Sequence, residues 1–479
     1  MWILPPDSLL PASPSRRDWL RGCAAGGCAL AGLAWLGGRN AARAENAPAA
    51  AGFGRAKSVI LVFTHGGQSQ LDMWDPKPAA PLEIRGEFRP IATALPGVQF
   101  GEHLPRIARV ADRLTIVRSM SHEDRDHGTA VYLALTGNYH AQRSGNPPVS
   151  PSDAPTFGAV LRRVGSGARF AHDAVHLNGP ALVPAEPGPG QNGGFLGRAY
   201  EPLVVGDVRE ALGTLPGLAL QTDLPLGRMD DRLALLDQLE RGSPRRREDQ
   251  QAIDLAASYA QAYDMLASPR TRQAFDLTAE PAAVRERYGL DRSGQALLLA
   301  RRLVEAGVPF VNVICNQSNR GQDDAPDETD AYGWDTHNDI FTALRDRLLP
   351  RFDLGFSALI EDLDQRGLLD ETLVVCMGEF GRAPLVALER NFAGASPGRK
   401  HWPTVYSLLM AGAGVARGAV VGASDRTGGQ AVTERHGPWD VLATMFHALG
   451  IFPAGHYTDA LDRPFAISHG RPMAAVYGG

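Results

Sequence analysis

The stretch Ser58-Val59-Ile60-Leu61-Val62-Phe63-Thr64-His65-Gly66-Gly67 joins a continuous apolar, β-branched run to a glycine turn. An unbroken apolar run is typical of a strand that is buried on both faces, as in a parallel sheet covered by helices. Such sheets place ligands beyond the carboxyl ends of their strands, where this glycine turn lies. The stretch therefore predicts a central strand with a functional loop directly after it.

Further apolar runs with strand character follow along the chain, and helical patterns separate them. The runs cover residues 114–117, 175–177, 308–314, 372–376 and 405–410, and the clearest helical patterns cover 293–306, 338–366 and 438–449. Strands that alternate with amphipathic helices indicate a mainly parallel sheet with helices on both faces. We therefore expect an α/β fold, a three-layer sandwich around a mainly parallel sheet.

The amino-terminal segment has the layout of an export signal. Arg16 and Arg17 are followed by Trp19 and Leu20, then by a weakly apolar run over 22–38 and a small-residue site ending at Ala44. This layout resembles a twin-arginine signal, which predicts passage through the twin-arginine translocase and a periplasmic or secreted protein. The run is too short and too rich in glycine for a membrane anchor. A lipid attached to Cys28 is a minor alternative.

These signals divide the chain into a signal peptide over residues 1–44, a flexible linker over 45–57 and one α/β domain over 58–479. Residues from about 180 to 275 depart from the alternation, since they are rich in proline and glycine first and strongly charged afterwards. We interpret this stretch as a partly helical insertion packed beside the sheet. No other segment is apolar for long enough to span a bilayer.

Composition excludes some classes of partner. The formal net charge of -5 over 479 residues creates no field that would gather nucleic acid or anionic lipid, so we expect neither as a partner.

Cys315 and Cys376 lie in strand-like runs, where we expect buried, unpaired thiols that pack as small apolar side chains.

Polar side chains with metal-binding chemistry recur just after the predicted strands. They fall in five segments, 64–77, 121–129, 333–337, 378–384 and 398–403. Carboxylates with neutral imidazoles suit zinc, manganese or a similar divalent ion, and Arg382 or Arg399 has the planar fork of donors that clamps an oxyanion. Histidines in loops are more often hydrogen-bonded structural residues than metal ligands. The acidic stretch 323–330 is a candidate for calcium binding, although acidic loops of this kind are usually solvated.

These five segments, the arginine-rich leader and the closing Gly470-Arg471-Pro472 together resemble the family catalogued as domain of unknown function 1501. The resemblance runs from about Arg16 to the end of the chain. Its most specific parts are Gly333-Trp334-Asp335-Thr336-His337 and Gly378-Glu379-Phe380-Gly381-Arg382 with Pro384. That family resembles a branch of the alkaline phosphatase and sulfatase superfamily, which implies a metal site at the carboxyl edge of the sheet.

The resemblance also implies roles for single residues. Counting back from Thr136-Gly137 brings His127 or Thr129 near the place of the sulfatase nucleophile, and Arg382 would clamp the oxyanion. The implied divalent ion is zinc, manganese or calcium. Its ligand candidates are Asp72, Asp335, His337, Glu379 and His401.

Two departures from the superfamily keep a second interpretation open. The Cys-x-Pro-Ser-Arg signature of sulfatases is missing, and Phe380 stands where a ligand is expected. The first interpretation is an exported, metal-dependent hydrolase acting on a phosphate or sulfate ester of a small molecule or a glycan. The alternative is a catalytically inactive member of the fold that binds an extracellular glycan or a protein partner.

Overall fold

A computed structural model of the chain describes residues 50–165, 172–209 and 268–478, together with positions 231, 234, 235 and 238. The predicted signal peptide and most of the second half of the predicted insertion lie outside the described residues. All the elements named below belong to one compact unit, Ala49–Gly479.

The strands of the described ranges are β1 Ser58–Phe63, β2 Pro90–Ala92, β3 Gln99–Gly101, β4 Thr115–Met120, β5 Ala174–Leu177, β6 Leu203–Val205, β7 Phe310–Ile314, β8 Thr372–Met377, β9 Gly381–Arg382, β10 His401–Trp402, β11 Tyr406–Ala411, β12 Ala419–Val421, β13 His456–Thr458 and β14 Pro464–Ala466. Eight of them form the central sheet, in the order β12-β4-β11-β8-β1-β7-β5-β6. The others form three two-stranded ribbons, which pair β2 with β3, β9 with β10 and β13 with β14.

Strand β1 lies at the centre of this sheet and pairs in parallel with both neighbours. Leu61 stands opposite Asn312 of β7 on one side and Val375 of β8 on the other. Only β11 runs against the other strands of the eight, because it pairs antiparallel with β4 and with β8. The predicted sheet, mainly parallel, is confirmed.

Helices cover both faces of the sheet and make three layers. The helices are α1 Gln70–Met73, α2 Leu82–Arg85, α3 Pro105–Arg109, α4 His127–Thr136, α5 Phe157–Val164, α6 Pro269–Phe275, α7 Ala282–Tyr288, α8 Arg292–Glu305, α9 Ile340–Thr342, α10 Leu349–Gln365 and α11 Pro438–Ala448. A π-helical segment, Ala343–Leu348, joins α9 to α10.

The two apolar cores follow from the alternation of side chains along β1. Ile60 and Val62 pack into the core that α8 and α10 cover, and Val59 and Leu61 pack into the core beneath α4, α5 and α11. Successive side chains of a strand point to opposite faces, so an apolar run without interruption is required to fill both cores. The predicted three-layer α/β sandwich is therefore confirmed.

The differences from the predicted elements lie at the edges. Strands β6 and β12 are three residues long, too short to show a pattern, and they close the two sides of the sheet. Strand β6 falls within the predicted insertion and pairs with β5.

The continuous helix predicted over 338–366 is divided into α9, the π-helical segment and α10.

Three smaller findings complete the fold. In the predicted linker, Gly54 and Ala56 donate backbone hydrogen bonds to the carboxyl end of α11. Cys315 and Cys376 are buried and free, as expected, and burial raises the pKa of the Cys315 thiol to about 12. Among the helices of the described ranges, none combines the length and apolar character that crossing a membrane requires.

Candidate functional site

The site lies where the carboxyl ends of β1, β4, β7 and β8 meet. His65 follows β1, His127 begins α4 after the loop that leaves β4, and Glu379 follows β8. Asp335 and His337 come from the long loop after β7, and His401 lies in β10 just before β11. Because β11 is antiparallel, its amino end lies at the same edge as the carboxyl ends of the other strands. The topology therefore gathers these side chains at one rim.

Asp335 is the centre of a cluster of imidazoles. Its Oδ2 lies 3.0 Å from Nε2 of His127, and its Oδ1 lies 3.1 Å from Nε2 of His401 and 3.1 Å from Nε2 of His337. Ligand atoms of His127, Asp335 and His401 all lie within 4.8 Å of one another. Asp335 and His127 are buried, and His401 is partly buried.

The far nitrogen of each imidazole is held by a hydrogen-bond acceptor. Nδ1 of His127 lies 2.6 Å from Oε1 of Glu379, and Nδ1 of His401 lies 2.6 Å from the carbonyl oxygen of Arg125. Nδ1 of His337 lies 3.1 Å from Oε2 of Glu389. Carbonyl and carboxylate oxygens only accept, so each Nδ1 donates, and each ring, when it is neutral, turns the lone pair of Nε2 toward Asp335.

This convergence of acceptors fits a cation. The Nε2 atoms of His337 and His401 lie 2.8 Å apart. Lone pairs that face each other at this distance repel unless a positive charge lies between them. Zinc binds imidazole nitrogen and carboxylate oxygen at about 2.0–2.2 Å, and an acceptor that fixes the far nitrogen of a ligating histidine is the usual outer partner. The donor set and its supports therefore fit a divalent ion.

Arg382 adds a positive charge to the cluster. Its guanidinium is fully buried, with Nη2 2.7 Å from Oδ1 of Asp335, while Nε donates to the carbonyl of Gly67 at 3.0 Å. Burial opposes ionisation of Asp335, but the charges of His127 and Arg382 hold its pKa well below the usual range. Asp335 is consequently ionised at neutral pH.

The imidazoles differ in their protonation. Burial lowers the pKa of His127, but the carboxylates of Asp335 and Glu379 outweigh it and raise that pKa to about 9. Burial, aided by the charge of His127, lowers the pKa of His401 to about 4. Without a metal, the charges of His127 and Arg382 thus balance those of Asp335 and Glu379.

Glu379 organises a second part of the rim. Its Oε1 accepts from the backbone N–H of Gly66 at 2.9 Å as well as from His127, and Nδ1 of His65 lies 3.7 Å from the same oxygen. Nε2 of His65 donates to the carbonyl of Leu182 at 2.8 Å. Within the described residues, neither Nδ1 of His65 nor Oε2 of Glu379 has a hydrogen-bond partner.

The structure brings together most of the residues predicted for the site. The residues that meet are His127, Asp335, His337, Glu379, Arg382 and His401. Phe380, the residue in place of an expected ligand, packs its ring centroid 4.9 Å from that of His127 and 4.6 Å from that of His401. It forms an apolar wall of the cluster.

Two predicted residues do not join the cluster. The carboxylate of Asp72 is held by Arg399 in a buried two-pronged pair, with contacts of 2.8 and 3.0 Å. This pair also occupies Arg399, the other oxyanion-clamp candidate. The hydroxyl of Thr129 donates to Asp124 at 2.6 Å.

The acidic stretch proposed for calcium is engaged in ion pairs. Asp323 pairs with Arg320 at 2.7 Å, and Asp330 pairs with Arg209 at 2.6 Å and with Arg351 at 2.8 Å.

Sequence reasoning missed two of the three groups that hold the imidazoles, the Glu389 side chain and the carbonyl of Arg125. Glu389 lies in an irregular loop, and the ring of Phe392 from the same loop stacks on His337 at 3.7 Å. Neither follows a strand, so no sequence signal marks them. Arg125 contributes only its backbone carbonyl, which no side-chain pattern reveals. His65, directly after the central strand, did carry a usable signal.

Comparison with solved structures finds chains that are similar to this one at low identity. They include a phosphonate monoester hydrolase from Silicibacter pomeroyi, with 12% identity, 88% of this chain and 76% of that chain covered and a TM-score of 0.40. The PsFucS1 sulfatase from Pseudoalteromonas sp. has 14% identity, 83% and 68% coverage and a TM-score of 0.34. A protein in the alkaline phosphatase superfamily from Vibrio parahaemolyticus has 10% identity, 84% and 69% coverage and a TM-score of 0.36.

Among curated proteins, none matches this sequence significantly. A family model described as a protein of unknown function, DUF1501, matches residues 56–477, nearly all of the α/β domain. The resemblance drawn from the five polar segments is thereby confirmed. The chain belongs to the DUF1501 family.

Proposed function

We propose that this chain is a metal-dependent hydrolase of a phosphate or sulfate ester, with one divalent ion held by Asp335, His127, His337 and His401. The observation that carries the proposal is the orientation of the three imidazoles. Each turns its Nε2 toward Asp335 because Glu379, Glu389 and the carbonyl of Arg125 engage the opposite nitrogens, and the Nε2 of His127 becomes a lone pair when its extra proton leaves. Glu379 and Glu389 thus act as positioning residues, since they orient the rings of His127 and His337.

His127 fits a ligand better than a nucleophile. Its Nδ1 is committed to Glu379, and its Nε2 faces the Asp335 carboxylate at 3.0 Å. A nucleophilic nitrogen needs an open approach to the ester, which neither nitrogen has while both face carboxylates. Thr129 is occupied by Asp124 and lies outside the cluster. We therefore assign the attack to water and not to a side chain.

A divalent ion in this site would polarise the ester oxygen and lower the pKa of a bound water. The protein's own groups would then hold the anionic ester. When His127 gives up its extra proton to act as a ligand, the ion and Arg382 outweigh Asp335 and Glu379 by one positive charge. Arg382 donates to Asp335 and to the carbonyls of Gly67 and Arg399, so it would supply a fixed positive charge and not a direct clamp on the ester. Phe380 keeps one side of the cluster dry.

The alternative, a catalytically inactive member of the fold that binds an extracellular glycan or protein, has its own support. Phe380 occupies a position expected for a ligand, and the cluster is balanced in charge without a metal. This alternative predicts that the folded protein binds no divalent ion with defined stoichiometry.

Metal analysis of the purified full chain, with assays on 4-nitrophenyl phosphate and 4-nitrophenyl sulfate, tests the proposal. We expect about one divalent ion per chain and turnover of one of the esters, with both lost in His401→Ala. His456→Ala, an exposed histidine of β13, is the matched control and retains both. A folded protein that binds no metal and turns over neither ester would reject the hydrolase and favour the catalytically inactive alternative. Bound metal without turnover would reject the hydrolase while keeping the metal site.

We also propose that the protein is exported through the twin-arginine translocase, since Arg16-Arg17 precedes the weakly apolar run and Ala44. Cell fractionation of the wild type should place the processed chain outside the cytoplasm. Replacing both arginines with lysine should retain the unprocessed chain in the cytoplasm. Export that continues in the double variant would reject this route.

A further inference from the structure

We infer that a cavity of about 390 Å³ beside the cluster is a subsite for an acidic sugar, one that carries a sulfate, phosphate or carboxylate group. The inference rests on the proposed function, because it assigns the part of the substrate that extends away from the cleaved ester. The residues that carry it are Arg125, Tyr139, Arg435 and Trp439, all in the wall of the cavity.

Two hydrogen bonds connect the lining of the cavity to the Asp335 cluster. Nε2 of His122, which lines the cavity, donates to the carbonyl of Glu379 at 2.6 Å. The carbonyl of Arg125, another lining residue, accepts from Nδ1 of His401 at 2.6 Å. Two lining residues, Arg125 and Pro403, also lie two residues along the chain from His127 and His401, so the same two segments supply the cavity and the cluster.

The cavity and its rim carry one positive charge in excess, since Arg125, Arg435 and Arg143 stand against Glu123 and Asp440. Arg125 and Arg435 are exposed, and neither has an ion-pair partner among the residues that the structure describes. The acidic residues of the cavity are already engaged. Asp440 accepts from the backbone N–H of Gly437 and of Arg471 at 2.9 Å each. Glu123 lies 3.7 Å from Arg143. The free guanidinium groups therefore favour an anionic ligand, and their planar forks suit an oxyanion.

Two aromatic rings supply the surface for the sugar. Tyr139 and Trp439 have centroids 5.7 Å apart and planes inclined at 47°. Rings this close pack against each other, so a ligand in the cavity would lie on the outer face of an aromatic ring, as sugars commonly do. Arg143 covers Tyr139 at 3.7 Å, which adds a third cation at the rim. The mostly polar lining does not suit a lipid chain.

Calorimetric titration of the chelator-treated protein tests the subsite apart from metal and turnover. The probes are galactose 6-sulfate, galactose 6-phosphate, glucuronic acid, unmodified galactose and adenosine monophosphate. We expect the acidic sugars to bind and galactose to bind far more weakly, with the strongest acidic sugar identifying the anion. Arg435→Ala and Trp439→Ala should each weaken that binding roughly tenfold. Arg426→Ala, an exposed arginine outside the cavity, is the matched control.

Equal binding by Arg435→Ala and the wild type, or galactose binding as well as the acidic sugars, would overturn the subsite. Tighter binding of adenosine monophosphate than of any sugar would reject the ligand class. Rejection of the proposed hydrolase can be told apart from rejection of the subsite. In that case turnover is missing, while the binding of acidic sugars that depends on Arg435 remains. If both hold, Arg435→Ala raises KM for a sugar that carries a second acidic group beside the phosphate or sulfate ester that is cleaved, and the control Arg426→Ala leaves that KM unchanged.

Discussion

The Nε2 atoms of His337 and His401 lie 2.8 Å apart, and Oδ1 of Asp335 lies 3.1 Å from both. The two rings come from loops 64 residues apart in the chain. Each is oriented by an acceptor on its far side, so the geometry of the cluster depends on groups that never touch the proposed ion. This dependence gives the first prediction.

Glu389→Ala should lower the affinity for the divalent ion by about 10- to 100-fold, because His337 loses the acceptor that fixes its ring. Titration with a chelator as competitor measures the change. Glu389→Gln keeps an acceptor and should restore part of the affinity. Lys400→Ala removes the exposed partner of the other Glu389 oxygen and should have little effect. Wild-type affinity in Glu389→Ala would contradict the assigned role.

Asp72→Ala should destabilise the protein by about 3–5 kcal/mol without removing the metal, because it leaves the Arg399 guanidinium buried and unpaired. Urea denaturation and metal analysis of the same sample provide the two measurements. Asp346→Ala breaks an exposed pair with Arg345 and should change little. Loss of metal from folded Asp72→Ala protein would return Asp72 to the ligand candidates.

Gly66→Ala should cost at least ~2 kcal/mol and also disturb the cluster. Gly66 has a φ of 114°, and an added Cβ would collide with the backbone of Trp334 and Asp335, with Trp334 N only 2.7 Å away. Gly367→Ala is the control, since its φ is +69° but open space surrounds it. Thermal unfolding and metal affinity of the two variants are compared. Equal losses of stability in the two variants would show that the positive φ, and not crowding by Trp334 and Asp335, causes the destabilisation.

His176→Phe should weaken the acid dependence of stability. Burial in β5 lowers the pKa of His176 from 6.5 to about 4. Between these pH values the unfolded chain binds a proton that the folded chain excludes, so the free energy of unfolding falls as pH falls through this range. The His176 contribution is on the order of 3 kcal/mol.

Urea denaturation of wild type and His176→Phe at pH 7 and pH 4.5 measures this difference. The variant should lose less stability between the two pH values than the wild type loses. His469→Phe, which changes an exposed histidine, should keep the wild-type dependence. An unchanged dependence in His176→Phe would show that His176 is protonated in the folded state.

The six strands predicted from apolar runs all belong to the central sheet, because strands buried on both faces need continuous apolar sequence. The sequence could not show that β11 is antiparallel, since strand direction depends on pairing between distant segments. It also could not show β6 and β12, whose three residues at the edges of the sheet bury too little to impose a pattern.

The site was predictable to a similar degree. Asp335, His337, Glu379 and His401 follow or precede strands, so their position at one rim comes from local sequence and sheet topology together. Asp72 and Thr129 have the same local signal, yet Arg399 and Asp124 engage them away from the cluster. Local sequence cannot distinguish Asp72, because its partner Arg399 lies 327 residues away, whereas Asp124 lies only five residues from Thr129.

The sequence by itself determined the layers of this protein and the edge at which its polar loops collect, because both depend on the period of apolar residues along single elements. Only the tertiary structure decided which imidazole nitrogen faces Asp335. That choice depends on Glu389 and the carbonyl of Arg125, whose hydrogen bonds to His337 and His401 form only when separate loops pack together.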